Sequence, residues 1–411
     1  AAEVVGEFLS AQGVKPGERV VLSSEGRPEW GMAYFGIILA GGTVVPVDVE
    51  LSAAEVSNIV RASGARGIIA GGKMLKTLAD TAQAAPVWSY DTVFADAHVY
   101  DPEARALKKR PKRAPEDVAS LIFTSGTTGS PKGVMLSDRN FTALTARLSA
   151  LFELRRNDAL ISVLPLHHTF EFSAGFLMPL AAGASVTYLE ERTPELLSRA
   201  FEETPVTGMI GVPAVWESLH RKIMRELGNQ PKPVELAVKA MMRGNRWLRD
   251  HTPWNIGRWI FRPMHRALGG RMRLMFSGAA PLSGDIYRDL RGLGFSLYEG
   301  YGLTEAAPVV SVGWPRDKVP VGSVGWPIPG VEVRIDGAND AGVGEVIVRG
   351  PTIMSGYLEA PEETARALQS GWLHTGDLGR LDDEGHLYIV GRQKDVIIDT
   401  SGKNVYPDEV E

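Results

Sequence analysis

Eight short runs of apolar, largely β-branched residues recur through the first 320 positions: ERVVLSS (18–24), GTVVPVD (42–48), ARGIIAG (65–71), ASLIFTS (119–125), ALISVLPL (159–166), ASVTYLE (184–190), VTGMIGVP (206–213) and MRLMFSG (272–278). Runs without polar alternation suit strands covered on both faces. Helical patterns such as RPEWGMAYFGIILAGG and DRNFTALTARLSALFEL lie between several of them. The alternation predicts parallel α/β sheets with helices on both faces, whose ligands gather at the carboxyl ends of strands.

From about 321 to 392 the texture changes to glycine-rich turns and short alternating strands, GVEVRID, GEVIVRG and LGRLDDEGHLYIVGR. The DDEG turn marks a hairpin, and the stretch predicts a small antiparallel, barrel-like β-unit. A length of 411 residues leaves room for these parts and a large core.

The chain has no cysteine, which excludes disulfide frameworks, thiolate catalysis and cysteine metal sites. A net charge of −5 and the lack of a nucleic-acid-binding signature argue against a nucleic-acid partner. There is no apolar run of membrane-spanning length and no signal-peptide layout at the start, so a cytoplasmic location, peripheral to a membrane at most, is expected. Oligomeric state is left open.

Residues 221–273 stand apart, with 13 Lys and Arg against 3 Asp and Glu, interleaved with Trp247, Trp254, Trp259 and Phe261. One reading is a solvated helical insertion with buried tryptophans. The other is a face that lies on an anionic membrane.

The strand signal ending at Phe123 runs into TSGTTGSPKG, residues 124–133. Its spacing is not that of a P-loop, because Pro131 stands where the second glycine belongs. Gly126, Gly129 and Gly133 let the backbone approach a ligand, while Thr124, Ser125, Thr127, Thr128 and Lys132 offer donors and a cation to phosphate oxygens. A helix is expected to start directly after the loop, capped by Ser137 or Asp138.

TSGTTGSPKG resembles the phosphate loop of the adenylate-forming superfamily, which comprises acyl-CoA synthetases, luciferases and adenylation domains. SGAAPL (277–282), YGLTE (301–305), GWLHTGD (371–377) and GRQKDVIIDTSGKNVYPDEVE (391–411) follow in the family's order. The resemblance implies a large N-terminal domain, residues 1–320, of two interwoven parallel-sheet α/β subdomains. The β-unit would span 321–392, and 393–411 would be a hinge and the start of a C-terminal lid that is otherwise almost entirely absent. It also implies a reaction in which a carboxylate attacks the α-phosphate of ATP, pyrophosphate leaves, and a thiol displaces AMP.

By the same resemblance, Thr124 and Glu305 hold Mg²⁺, and Ser125 to Gly129 with Lys132 hold the phosphates. Gly278, Ala279 and Ala280 form a wall beside adenine. Tyr301, within Glu299, Gly300, Tyr301 and Gly302, stacks on that ring. Thr304 donates to the α-phosphate, Asp377 accepts from the ribose hydroxyls, and Arg392 reaches ribose or phosphate. Lys394 lies at the hinge, and Gly402 in the loop that meets the pantetheine arm of CoA.

LPLHHTFEF is similar to the LPL-x-H-x-F-E of long-chain fatty acyl-CoA synthetases and implies a fatty acid substrate. His168, with His167 beside it, would approach the substrate carboxylate, and Phe172 would gate the acyl tunnel. Glu171 keeps an amino-acid-activating reading open. Two more functions fit the same motifs: an acyl-AMP ligase that delivers to a carrier-protein thiol, and a non-catalytic nucleotide- or lipid-binding module. The family's lid lysine has no counterpart before Glu411, so these residues alone are expected to adenylate slowly.

Overall fold

The computed structural model describes residues 1–79, 83–94, 111–124, 131–189, 193–315 and 318–393, with the short strands Ile397–Ile398 and Asn404–Val405. All eight apolar runs form strands: Arg19–Ser23, Thr43–Pro46, Gly67–Ala70, Val118–Thr124, Ala159–Ser162, Ser185–Tyr188, Gly208–Gly211 and Leu274–Ser277. The chain divides into two units, each woven from three segments.

The first unit comprises Ala1–Ala143, Leu164–Phe172 and Thr352–Arg366. Its seven-stranded sheet runs Gly356–Tyr357, Lys132–Ser137, Val118–Thr124, Thr43–Pro46, Arg19–Ser23, Gly67–Ala70, Val87–Ser89. From Val118–Thr124 onward neighbouring strands are parallel. Val21, Val45, Ile68 and Leu121 bury one face against Val56 and Val60 of the helix Ala53–Ser63. That helix starts in a reciprocal cap, in which the Glu55 amide donates to Ser52 Oγ at 3.3 Å and the Ser52 amide to Glu55 Oε2 at 2.8 Å.

The motif region departs from the expected strand–loop–helix order. Lys132–Ser137 is itself a strand, antiparallel to Val118–Thr124, so the phosphate-loop sequence joins the arms of a hairpin. The helix Asp138–Phe152 follows at once, and Ser137 supplies its cap by accepting from the Asn140 amide at 3.3 Å. Pairing of Gly356–Tyr357 with Val134 and Met135 extends this edge.

The second unit comprises Leu144–Val163, Ser173–Pro351 and Ala367–Glu411. Its seven-stranded sheet runs Trp326–Pro327, Val309–Val312, Leu297–Gly302, Leu274–Ser277, Gly208–Gly211, Ala159–Ser162, Ser185–Tyr188; the last five are parallel and the first two antiparallel. Met275 and Leu297 pack with Trp216, Leu290 and Phe295 into its core. A curled antiparallel sheet joins Glu332–Asp336, Gly344–Arg349, Trp372–Leu381 and Leu368–Gln369, and Leu387–Arg392 pairs with Trp372–Leu381 through the expected hairpin. The Asp382 carboxylate ties that turn by accepting from the His386 amide at 2.8 Å.

Residues 221–273 are largely helical, with helices Pro213–Gly228, Lys232–His251, Gly257–Ile260 and Arg262–Ala267. The reading with buried tryptophans fails, because Trp247, Trp254 and Trp259 are 60%, 68% and 79% exposed while Phe261 is buried. Among the described residues no helix is long and apolar enough to cross a membrane.

Candidate active site

Leu274–Ser277 and Leu297–Gly302 run parallel, with Ser277 opposite Glu299, so SGAA and YGLTE emerge side by side at their carboxyl ends. This is the end of an open sheet where ligands bind. Gly278 is buried, whereas Ala279 and Ala280 are exposed, and Ala279 adopts a φ of 72°, a conformation that favours glycine. The strained turn presents backbone at the position implied for the adenine wall.

Gly302 ends its strand where a β-carbon would stand 1.8 Å from the Pro308 carbonyl oxygen. The chain reverses tightly there, the Leu303 amide donating to that same carbonyl at 2.9 Å. Between them lies the single helical turn Thr304–Ala306, which leaves Thr304 and Glu305 half-buried beyond the strand end. Glu299 lies two residues before Tyr301 and is almost fully enclosed. Burial pushes its carboxyl up to about 7, against one backbone N–H donated by Leu282.

Asp377 comes to Tyr301 from the curled sheet. The Tyr301 hydroxyl donates to Asp377 Oδ2 at 2.6 Å, and Arg392, opposite Asp377 in the ladder, places Nε 3.3 Å from Oδ1. Burial raises the Asp377 carboxyl above its usual value, and the donors Tyr301 and Arg392 pull the other way. Burial and the neighbouring Asp377 charge raise the Tyr301 phenol further, so it acts as a donor throughout the neutral range.

The turn before Asp377 is held by a residue that the sequence does not single out. Glu345 accepts the Gly376 amide through Oε1 at 2.9 Å and meets His374 Nδ1 through Oε2 at 2.9 Å. Thr375 Oγ1 receives the Asp377 amide at 3.0 Å and donates to the Val346 carbonyl at 2.7 Å. No short-range signal marks Glu345, because strand pairing alone brings it to the turn.

The remaining predicted residues of the first unit lie along its hairpin and the segment 164–172. Thr124 and Lys132 are cross-strand partners at the hairpin mouth. Lys132 Nζ lies 5.3 Å from the centroid of the Tyr357 ring, a cation–π contact. Ser125, Gly126, Thr127, Thr128 and Gly129 lie outside the described residues, as do Lys394 and Gly402. His167 and His168 have ring centroids 4.1 Å apart, with His168 exposed and His167 Nε2 3.7 Å from Asp48 Oδ2. Phe172 is 3% exposed and wedged among Trp30, Tyr34 and Phe141, a core position from which a gate would have to unpack.

The donor set fits an adenine nucleotide: an aromatic face at Tyr301, a two-oxygen acceptor at Asp377 and a permanent cation at Arg392. In the second unit Glu305 offers carboxylate oxygens of the kind that a hard divalent cation prefers.

A family model described as AMP-binding enzyme matches residues 1–358. The chain is 32% identical to the long-chain-fatty-acid–CoA ligase FadD15 of Mycobacterium bovis, over 97% of its own length and 69% of that protein's. It is 29% identical to a feruloyl-CoA synthase of an Amycolatopsis species, over 98% and 74% of the two lengths. The crystal structure of ATP-bound MatB from Rhodopseudomonas palustris superposes with a TM-score of 0.79 at 27% identity, covering all of this chain and 75% of that one. The motifs along the strand ends, the two sheets and these likenesses agree: the chain belongs to the AMP-binding enzymes, the family of ATP-using, adenylate-forming acyl-CoA ligases.

Proposed function

We propose that the protein activates a fatty acid, of the long-chain class, to its acyl-adenylate with Mg²⁺-ATP and transfers the acyl group to CoA. The observation that carries the reading is the Tyr301–Asp377–Arg392 group beside SGAA at the carboxyl ends of two parallel strands. The LPLHHTFE sequence and the long-chain ligases among the relatives support the fatty acid. The feruloyl-CoA synthase makes an aryl acid the natural competitor.

In this reading Asp377 accepts both ribose hydroxyls, Tyr301 packs on adenine, and Arg392 neutralises charge near the ribose or phosphate. Thr304 donates to the α-phosphate, and Lys132 with the hydroxyls of residues 124–128 holds the other phosphates. Mg²⁺, when held by Thr124 and Glu305, supplies further neutralisation of phosphate charge. Positioning and charge neutralisation supply most of the catalysis of phosphoryl chemistry of this kind. His168 orients the attacking carboxylate.

The deciding measurement is pyrophosphate release and thioester formation across fatty, aryl and amino acids, with free CoA and holo-carrier protein compared as acceptors. Highest kcat/KM on long-chain fatty acids with free CoA supports the proposal; preference for an aryl or amino acid, or for the carrier, replaces it.

A further inference from the structure

Of the large hydrophobic side chains that stand exposed among the described residues, most fall in one short stretch: Val234, Leu236, Met241, Trp247, Trp254, Ile256 and Trp259. The same stretch lies in the segment with 13 basic against 3 acidic residues. Exposed hydrophobics scattered singly need no explanation, but a cluster inside the most basic part of an acidic chain does.

The helix Lys232–His251 shows how the cluster is built. Its buried edge carries Glu235, Met242 and Asn245. Leu236 and Trp247 stand three turns apart on one line, with Ala240 between them, on the opposite side of the helix. Leu236 is 61% exposed. Lys239 and Arg243 border this outward stripe along one side. Trp254, Ile256 and Trp259 stand exposed in the turn and short helix that follow, where Arg262 and Arg266 are exposed too. Of the acidic residues here, Glu235 is held by Lys232 at 2.8 Å and Lys239 at 2.7 Å, and Asp250 by Arg291 at 3.2 Å. Arg243, Arg262 and Arg266 pair with no carboxylate among the described residues.

We infer that this face docks on the surface of an anionic lipid bilayer, with the tryptophans and aliphatic side chains at the headgroup boundary and the arginines on lipid phosphates. Tryptophan suits a boundary that is wet on one side and apolar on the other, and arginine suits phosphate. The exposed aliphatic residues discriminate against nucleic acid, which takes up aromatic rings by stacking but offers Leu236 and Ile256 nothing to bury in. The charge pattern points the same way: the segment carries +10 and the rest of the chain −15, so an anionic surface attracts this face and repels the others. The inference stands independently of the acyl substrate.

Flotation of the 411-residue chain with phosphatidylcholine vesicles, and with vesicles that also contain phosphatidylglycerol, tests it. Expected is binding that needs the anionic lipid, weakens with salt and shifts tryptophan emission to shorter wavelength. At roughly a fivefold loss for each basic residue removed from such a surface, Arg243→Glu with Arg262→Glu and Arg266→Glu lowers the partition coefficient by about a hundredfold or more. Trp247→Ser with Trp254→Ser and Trp259→Ser abolishes the emission shift, while nucleotide binding by both variants verifies folding. Equal partition onto neutral and anionic vesicles, or none onto either, overturns the inference. So does binding to single-stranded DNA in place of vesicles, or a concentration-dependent dimer that the tryptophan variant loses while vesicles stay unbound.

Discussion

The hydroxyl of Tyr301 donates to Asp377 Oδ2 at 2.6 Å, across 76 residues of sequence. Tyr301 is the last residue but one of a strand in the second unit's large sheet and Asp377 lies in its small curled sheet, so one hydrogen bond ties the implied adenine platform to the implied ribose acceptor. Arg392 holds the other carboxylate oxygen, which leaves Asp377 oriented before any nucleotide arrives.

Asp377→Asn keeps the shape and removes the charge. Hydrogen bonds to a charged group contribute about 1.5–3 kcal/mol, so the Kd for ATP is expected to rise roughly tenfold to over a hundredfold, measured by titration calorimetry. An unchanged Kd would place the ribose elsewhere.

Glu299 makes stability depend on pH. Its carboxyl titrates near 4.5 when solvated and is pushed up to about 7 by burial. Below the lower value both states are neutral and nothing is lost. Between the two, the unfolded chain releases a proton that the folded chain keeps, so stability falls as pH rises and levels off above the higher value. The loss is at most about 3 kcal/mol. Glu299→Gln should flatten this part of a urea-midpoint profile from acid to neutral pH; parallel profiles would mean that Glu299 does not carry the slope.

Gly302→Ala would drive a β-carbon to 1.8 Å from the Pro308 carbonyl oxygen, where backbone rather than a flexible side chain must move. Overpacking against backbone costs about 1–3 kcal/mol or more. The expected result is a lower melting temperature together with weaker ATP binding, because the displaced turn carries Thr304 and Glu305. A wild-type melting curve would show that the reversal gives way without cost.

Ala279→Gly is expected to act in the opposite direction. At a φ of 72° the β-carbon is strained, and glycine relieves it. A gain of about 0.5–1 kcal/mol should appear in denaturant unfolding, with ATP affinity within a few-fold of wild type. Loss of stability would show that the alanine methyl has packing value that outweighs the strain.

The parallel strands were legible because strands buried on both faces read as continuous apolar runs, and VVL, VVP, GII and LMF are such runs. The hairpin arm Lys132–Ser137 was not. Its residues follow a long glycine-rich connection and run straight into a helix cap, so KGVMLS reads as an approach to the helix. Its partner on the outer side, Gly356–Tyr357, comes from more than 200 residues further along the chain. Phe172 carried a family role by position, yet its ring is packed among Trp30, Tyr34 and Phe141. The tryptophans of the basic segment went the other way: aromatic residues in a helical pattern suggest burial, and three of them face outward.

The order of residues along the chain was enough to establish the α/β alternation, the antiparallel turn of texture near residue 321 and the motif series, because each is a local pattern of side-chain chemistry. Folding in three dimensions decided which of those motifs meet. Tyr301, Asp377 and Arg392 converge, and Glu345 braces their turn, only through strand pairings that bring distant residues into register. Whether a hydrophobic residue faces the core or the solvent was settled in the same way, by what packs against its helix or strand rather than by its own identity.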